Sequence, residues 1–327
     1  MSELMPVAVL VLALLIDWSF GDLPNSLHPV VAMGNWITWT RRKALKSPSN
    51  KIRFAYGAAS LMFGIVVIAG IGCAIERLSR ETPIWVAICV QAAVLKCAFS
   101  IRSLGSAASS VASALHSGDL ALARQQLAYH LVSRDTSQLD ASSVAAAAVE
   151  SVAENTSDSF IAPLIYFAVA GLPGALVYRY VNTCDAMLGY RTRDLEWLGK
   201  SAARTDDVLN WIPSRVTAIL MLLVGPASDT LLGNPINRLS AISIWMRDSR
   251  LTASPNAGHP ISAVAGLLGV VLEKQDHYRL GQGQAMPTVA SIQAVNSLLY
   301  RTSMAGVCAA IAWLVFIPLL IRGSLYE

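Results

Sequence analysis

The chain has 327 residues, enough for one large domain or two small ones. Hydrophobic residues make up 54% and charged residues 14%, against about 25% charged in ordinary soluble domains; the mean hydropathy is +0.50 and the formal net charge +4. These values exclude an ordinary soluble enzyme and predict an all-α, polytopic integral membrane protein, a single domain over 1–327 in a lipid bilayer, with no nucleic-acid partner.

A spanning helix needs about 20 mostly apolar residues. Residues 4–20 approach that length, and lacking a basic leader and a small-residue cleavage site they read as a retained membrane helix. Residues 54–75, 83–101 and 304–321 read as further spans, giving about four full transmembrane helices. Two apolar segments are interrupted, 159–181 by GLPG and 216–232 by Gly225-Pro226. They read as broken or re-entrant helices, since irregular backbone at membrane depth is tolerated only against protein or a cavity. Six Lys/Arg in residues 41–53 mark that loop as cytoplasmic. The polar regions about 17–53, 102–158, 182–215 and 233–303 are then expected inside, partly as cytoplasmic helices. Arg179, Arg191, Arg193, Lys200, Arg204 and Arg215 agree with that side. The five cysteines lie mostly in apolar runs with no CxxC pair and read as buried free thiols.

The polar groups fall into a few clusters. GDLPNSLHPV (21–30) and SPNAGHP (254–260) are rigid loops ending in His28-Pro29 and His259-Pro260, fit for ligand contact or for turns at helix ends. RDTSQLD (134–140) offers Arg134 and Asp135, then Asp140 as a helix cap; an ordinary surface turn is the alternative. In VESVAENTSDSFIAPL, Glu150, Glu154 and Asp158 recur every fourth residue, each about 40° round a helix from the last. Like charges at that spacing repel. A cation or basic partner would relieve them; otherwise they form a solvated face with Asp158 capping the next helix. Asn182 and Asp185 share a face of an apolar helix, where a buried acid needs a partner. Asp206 and Asn210 share another, flanked by Asp207, Arg204 and Arg215. Carboxylate and amide oxygens suit Mg²⁺ and arginines suit phosphates. No phosphate-binding GxxxxGK[ST] loop, HExxH or GxSxG occurs, and residues 279–287 read as a loop. The residues alone leave two classes open: metal-assisted chemistry on a phosphorylated substrate, or a transporter with a broken-helix site.

Taken together and in order, GDLPNSLHPVVAMGNWI, SRDTSQLD, AAVESVAENTSDSFIAPL, LPGALVYRYVNTCDAMLGYR, SAARTDDVLNWIPSRVTA and SPNAGHPISAVAGLLGV resemble the adenosylcobinamide-phosphate synthase family over nearly the whole chain. The chain departs from the family pattern at Leu23, Ser133, Ser159 and Ile261. The resemblance implies an ATP-dependent ligase of the bacterial cytoplasmic (inner) membrane, its active site facing the cytoplasm. It would join adenosylcobyric acid, a corrinoid, to aminopropanol or ethanolamine phosphate, with Mg²⁺ and with ATP as co-substrate. Other corrin-biosynthesis enzymes are its expected partners. On that reading Glu150, Glu154, Asp158 and Asp185 are catalytic, and Glu154, Asp158, Asp206 and Asp207 hold metal. Arg134, Arg191, Arg204 and Arg215 hold phosphates. Asn155, Asn182, Asn210 and Asn256, with His28, Asp135, Tyr190 and His259, bind substrate. A non-catalytic scaffold for corrin enzymes is the remaining rival.

Overall fold

A computed structural model describes residues 4–24, 26, 28–47, 49–190, 192–225, 238–274 and 277–323, with side chains to 317. The described residues are mostly helical. They cluster into two compact units, the chain passing between them at 100/101, 161/162, 209/210 and 307/308.

The first unit holds α1 (Met5–Phe20), α2 (Pro29–Ala44), α3 (Asn50–Ser79), α4 (Ile84–Lys96), α8 (Ala162–Leu188) and α9 (Lys200–Leu209). Its core is built from Met33, Ile37, Leu61, Tyr180, Val181, Cys184, Leu188 and Leu198. Small residues let α3 approach its neighbours: a Cβ at Gly64 would overlap the Tyr180 hydroxyl, and one at Gly72 would press on Pro173. Much of the rest of α3 is apolar and uncovered, including Met62, Phe63, Val66 and Ile71. Such a surface fits contact with lipid.

The GLPG interruption is a two-residue break. Within α8, Ala170 and Gly171 leave helical geometry, Gly171 at φ 63°, a conformation glycine adopts without steric cost. The helix resumes at once, and Glu76 of α3 accepts the Leu172 N–H at 2.8 Å. A carboxylate at a new helix start is favoured by the dipole and by the open N–H groups.

The second unit holds α5 (Arg102–His116), α6 (Leu120–His130), α7 (Ala141–Thr156), α10 (Trp211–Val224), α11 (Arg238–Asp248) and α12 (Gly258–Leu268), with a hairpin of β1 (Leu272–Lys274) and β2 (Tyr278–Leu280). The hairpin pairs Leu272 with Leu280 and Lys274 with Tyr278. It puts Arg279 and Leu280, expected in a loop, on a strand. The central helix is α7, buried from Val144 to Val149 and at Val152 and Ala153. Its alanine-rich sequence leaves little side chain in the way, so α5, α6 and α12 all pack on it. Buried on most sides, α7 is a core helix rather than a solvated one, its acidic residues on one face. As expected, Asp140 caps it, accepting from Ser143 N–H at 2.7 Å, and Asp119 caps α6 through Leu122 N–H at 2.9 Å.

Among the described residues three helices are long and apolar enough to cross a membrane: Asn50–Ser79, Ala141–Leu188 and, within α13 (Val289–Gly323), Val289–Ile317; α9 and α10 make a fourth if counted as one broken span. The expected spans at 54–75 and 304–321 coincide with the first and last. Those at 4–20 and 83–101 become shorter helices, Met5–Phe20 and Ile84–Lys96. Thirteen residues of α4 reach about 20 Å, short of a hydrocarbon core of about 30 Å. The helix stops where Lys96 turns in to pair with acids. In 216–232 the helix ends at Val224 and Gly225 leaves helical geometry, as expected, while residues 226–232 lie outside the described residues; a further bend falls at Asn210, between α9 and α10.

Candidate active site

In the second unit, α7 carries the acidic row. Glu150 is 6% exposed, with Glu154 and Asp158 half-buried. Asp158 does not cap a new helix: Ser157–Ile161 form a π turn that carries the helix onward, an irregularity frequent at functional sites. Arg134, in the loop after α6, lies 3.8 Å from Glu150 Oε2. Glu150 Oε1 has no hydrogen bond among the described residues. A buried carboxylate oxygen left so is costly and can accept a proton or bind a cation. Tyr278 faces this group, its hydroxyl directed at the Glu150 carboxylate; burial, then Glu150 and Glu154, raise its phenol well above the ordinary range. The expected substrate residue Asn155 bonds along its own helix, donating to the Ser151 carbonyl at 2.9 Å and accepting from the Ser159 hydroxyl at 3.3 Å. Asp135 closes a turn by accepting from Ser137 N–H at 2.9 Å, and its carboxyl is held below the usual range by Ser137.

A second group in this unit lies on α10 and α12. Arg215 donates to Asn256 Oδ1 at 3.3 Å and to the Trp211 carbonyl at 2.7 Å, and stacks on the Trp211 ring at 4.4 Å. Asn210 is buried and precedes the first turn of α10, which packs on the π turn holding Asp158. His259 Nδ1 accepts from Trp245 Nε1–H at 3.1 Å, so its remaining hydrogen sits on Nε2. Burial, then the Arg215 and Arg250 charges, push His259 down to about 4; it is a neutral hydrogen-bonding group near pH 7.

In the first unit, Asn182 donates to Asp206 Oδ1 at 3.4 Å, joining two expected residues from α8 and α9. Asp185 is one turn before Gly189, whose N–H bonds to its carbonyl. Tyr190, Arg204 and Asp207 line one cavity of about 270 Å³ with Glu196 and Lys200. His28 is a cap: its Nδ1 accepts Val30 N–H at 3.2 Å at the start of α2, and burial lowers its pKa. Arg191 lies outside the described residues.

Sequence reading passed over several polar groups. Lys96, 2% exposed, lies 3.0 Å from Asp17 and 2.7 Å from Asp22, and donates to the Phe99 carbonyl at 3.1 Å. A lysine near the end of a hydrophobic run and an aspartate inside another were the available signal. Tyr278 and Glu196 gave none.

Among the described residues no three His, Cys, Asp or Glu side chains gather as a metal cage. The oxygen donors on α7 still fit Mg²⁺, which takes one or two carboxylates and completes its shell with water and substrate phosphates. The described residues are thus mostly helical, with long apolar helices that fit a membrane protein and polar clusters of carboxylate, amide and arginine groups.

A family model described as CobD/Cbib protein matches residues 10–319. The chain is 41% identical over 277 residues to the "Cobalamin biosynthesis protein CobD" of Dehalococcoides mccartyi, covering 84% of this chain and 86% of the relative. It is 33% identical over 308 residues to the "Probable cobalamin biosynthesis protein CobD" of Methanocaldococcus jannaschii, covering 93% and 97%. To that of Methanothermobacter thermautotrophicus it is 36% identical over 321 residues, covering 95% and 100%. No solved structure matches. The chain belongs to the CobD/CbiB family of cobalamin biosynthesis.

Proposed function

We propose that the chain is an ATP-dependent amide ligase of the cytoplasmic membrane, joining adenosylcobyric acid to aminopropanol phosphate or ethanolamine phosphate to give adenosylcobinamide phosphate. The observation that carries the reading is the acidic row of Glu150, Glu154 and Asp158 with Arg134 beside it, in a chain of a cobalamin-biosynthesis family.

A carboxylate and an ammonium do not condense in water at useful rates. In the proposed reaction a propionate oxygen of the corrin takes the terminal phosphoryl group of ATP, releasing ADP. The amine nitrogen then attacks the acyl carbon, phosphate leaves with that oxygen, and the amine gives up its protons. Glu150 and Glu154 take a proton from the attacking amine. Arg134, beside Glu150, and Arg215, held on Trp211 and Asn256, bind the anionic groups. Asn256 and neutral His259 orient amide and carboxylate groups of the corrin. Within their unit, Glu154 and Asp158 are the oxygen donors offered to Mg²⁺. Bound Mg²⁺ would screen phosphate charge; the buried setting of α7 excludes water from the acyl group.

The transporter reading would place a ligand at the broken helix. There, Glu76 of the chain itself already meets the new helix start.

Labelling both propionate oxygens of the corrin substrate with ¹⁸O tests the chemistry. One label is expected in released phosphate and one in the amide. Phosphate free of label, with product formed, would rule out phosphoryl activation of that carboxylate.

A further inference from the structure

The cavity beside α9 has a charge pattern of its own. It is formed where the end of α8 meets the start of α9, in so close an approach that a Cβ at Gly199 would overlap the Leu188 carbonyl. Lys200 and Arg204 are one turn apart on α9, with Asp207 a further turn on and Glu196 in the preceding turn. Among the described residues neither Lys200 nor Arg204 forms an ion pair. Lys200 is steadied instead over the Trp197 ring at 4.3 Å. Two cations at this spacing repel, and a multiply charged anion between them would relieve that. The open N–H groups at the start of α9 would add donors. Glu196 and Asp207 supply the opposite charge within the same space. At about 270 Å³, it is smaller than the roughly 300–1,000 Å³ pockets of drug-sized ligands, too small for a corrin or a whole nucleotide.

We propose that this cavity binds a small phospho-amine zwitterion, its phosphate at Lys200 and Arg204 with the Tyr190 hydroxyl, its ammonium at Glu196 and Asp207. Resting on the ligase reading above, it is where the amino-alcohol phosphate docks as its charged form, before the amine is deprotonated, and Asp207 then holds the ammonium rather than a metal. The same chemistry occurs in a phosphatidylethanolamine headgroup, so the test separates the two sources.

Calorimetry on the full chain in detergent would compare aminopropanol phosphate with glycerol phosphate, which lacks the amine, and aminopropanol, which lacks the phosphate. The zwitterion is expected to bind about tenfold or more tighter than either. Arg204→Gln is expected to weaken aminopropanol phosphate and glycerol phosphate but not aminopropanol; Asp207→Asn, aminopropanol phosphate and aminopropanol but not glycerol phosphate. Retained corrinoid binding shows that each variant is folded; if one fails it, Lys200→Gln or Glu196→Gln takes its place. Equal binding of all three ligands, or losses spread equally over them, overturns the proposal. In nanodiscs, competition by phosphatidylethanolamine but not phosphatidylcholine would give the site to the headgroup and overturn the substrate assignment. If amide product forms and the KM for amino-alcohol phosphate is unmoved in both variants, the cavity assignment fails and the ligase stands. If the binding pattern holds but no amide forms, the ligase reading fails and the cavity stands.

Discussion

Single side chains carry the sharpest consequences. Lys96 is a buried cation between Asp17 and Asp22. Removing one partner of a buried ion pair leaves uncompensated charge, so Lys96→Met is expected to cost about 3–5 kcal/mol, read by denaturant unfolding in detergent. A loss under about 1 kcal/mol would show the group to be effectively solvated. Glu154→Gln keeps the shape of the acidic row and removes a base and metal donor; turnover is expected to fall about 100-fold or more. Near-normal turnover with unchanged Mg²⁺ dependence would remove Glu154 from the chemistry. His259 bears on pH. Its pKa falls from 6.5 to about 4 in the folded chain, so between these values the unfolded chain binds the extra proton. Stability is therefore full above pH 6.5 and is lost as pH falls towards 4. His259→Gln should flatten that part of the stability profile; an unaltered slope would assign it to other groups.

At the scale of elements, the break in α8 and the central place of α7 show what patterns in a sequence convey. GLPG announced a broken helix, because glycine and proline act on the backbone directly. Its partner, Glu76, is 96 residues away in sequence and nothing local points to it. Gly171→Ala is expected to cost about 1–3 kcal/mol from left-handed geometry, since Gly171 is at φ 63° and a Cβ there would also meet Glu76. Wild-type stability would mean that the break relaxes freely. The capping aspartates and the helix through the acidic row were legible for similar local reasons; the meeting of Arg215 with Asn256, from separate segments of the chain, was not. The central position of α7 was not, since alanine favours helices in water and in cores alike. Nor was the length of α4: hydropathy counts apolar residues through Lys96 to residue 101 and cannot register that the lysine bends inward to distant acids.

For the whole molecule, three apolar helices, and much uncovered apolar surface on α3, fit a membrane protein. Orientation rests on the basic residues at 41–53 and 179–215. Only Cys97 and Cys184 are buried as expected; Cys73, Cys89 and Cys308 are exposed, so they would be replaced by serine before single cysteines are placed at exposed Arg193 and Pro255. Both are expected to react with an impermeant maleimide only in inverted vesicles; reaction of either from the outer face would overturn the all-inside arrangement. The central claim is catalytic. Its most direct measurement incubates the purified, folded chain with adenosylcobyric acid, aminopropanol phosphate and Mg-ATP, and follows the corrin by mass spectrometry. The expected product is heavier by one amino-alcohol phosphate less one water, and forms only with ATP. No such product with either aminopropanol phosphate or ethanolamine phosphate, from protein that still binds the corrin, would contradict the ligase assignment.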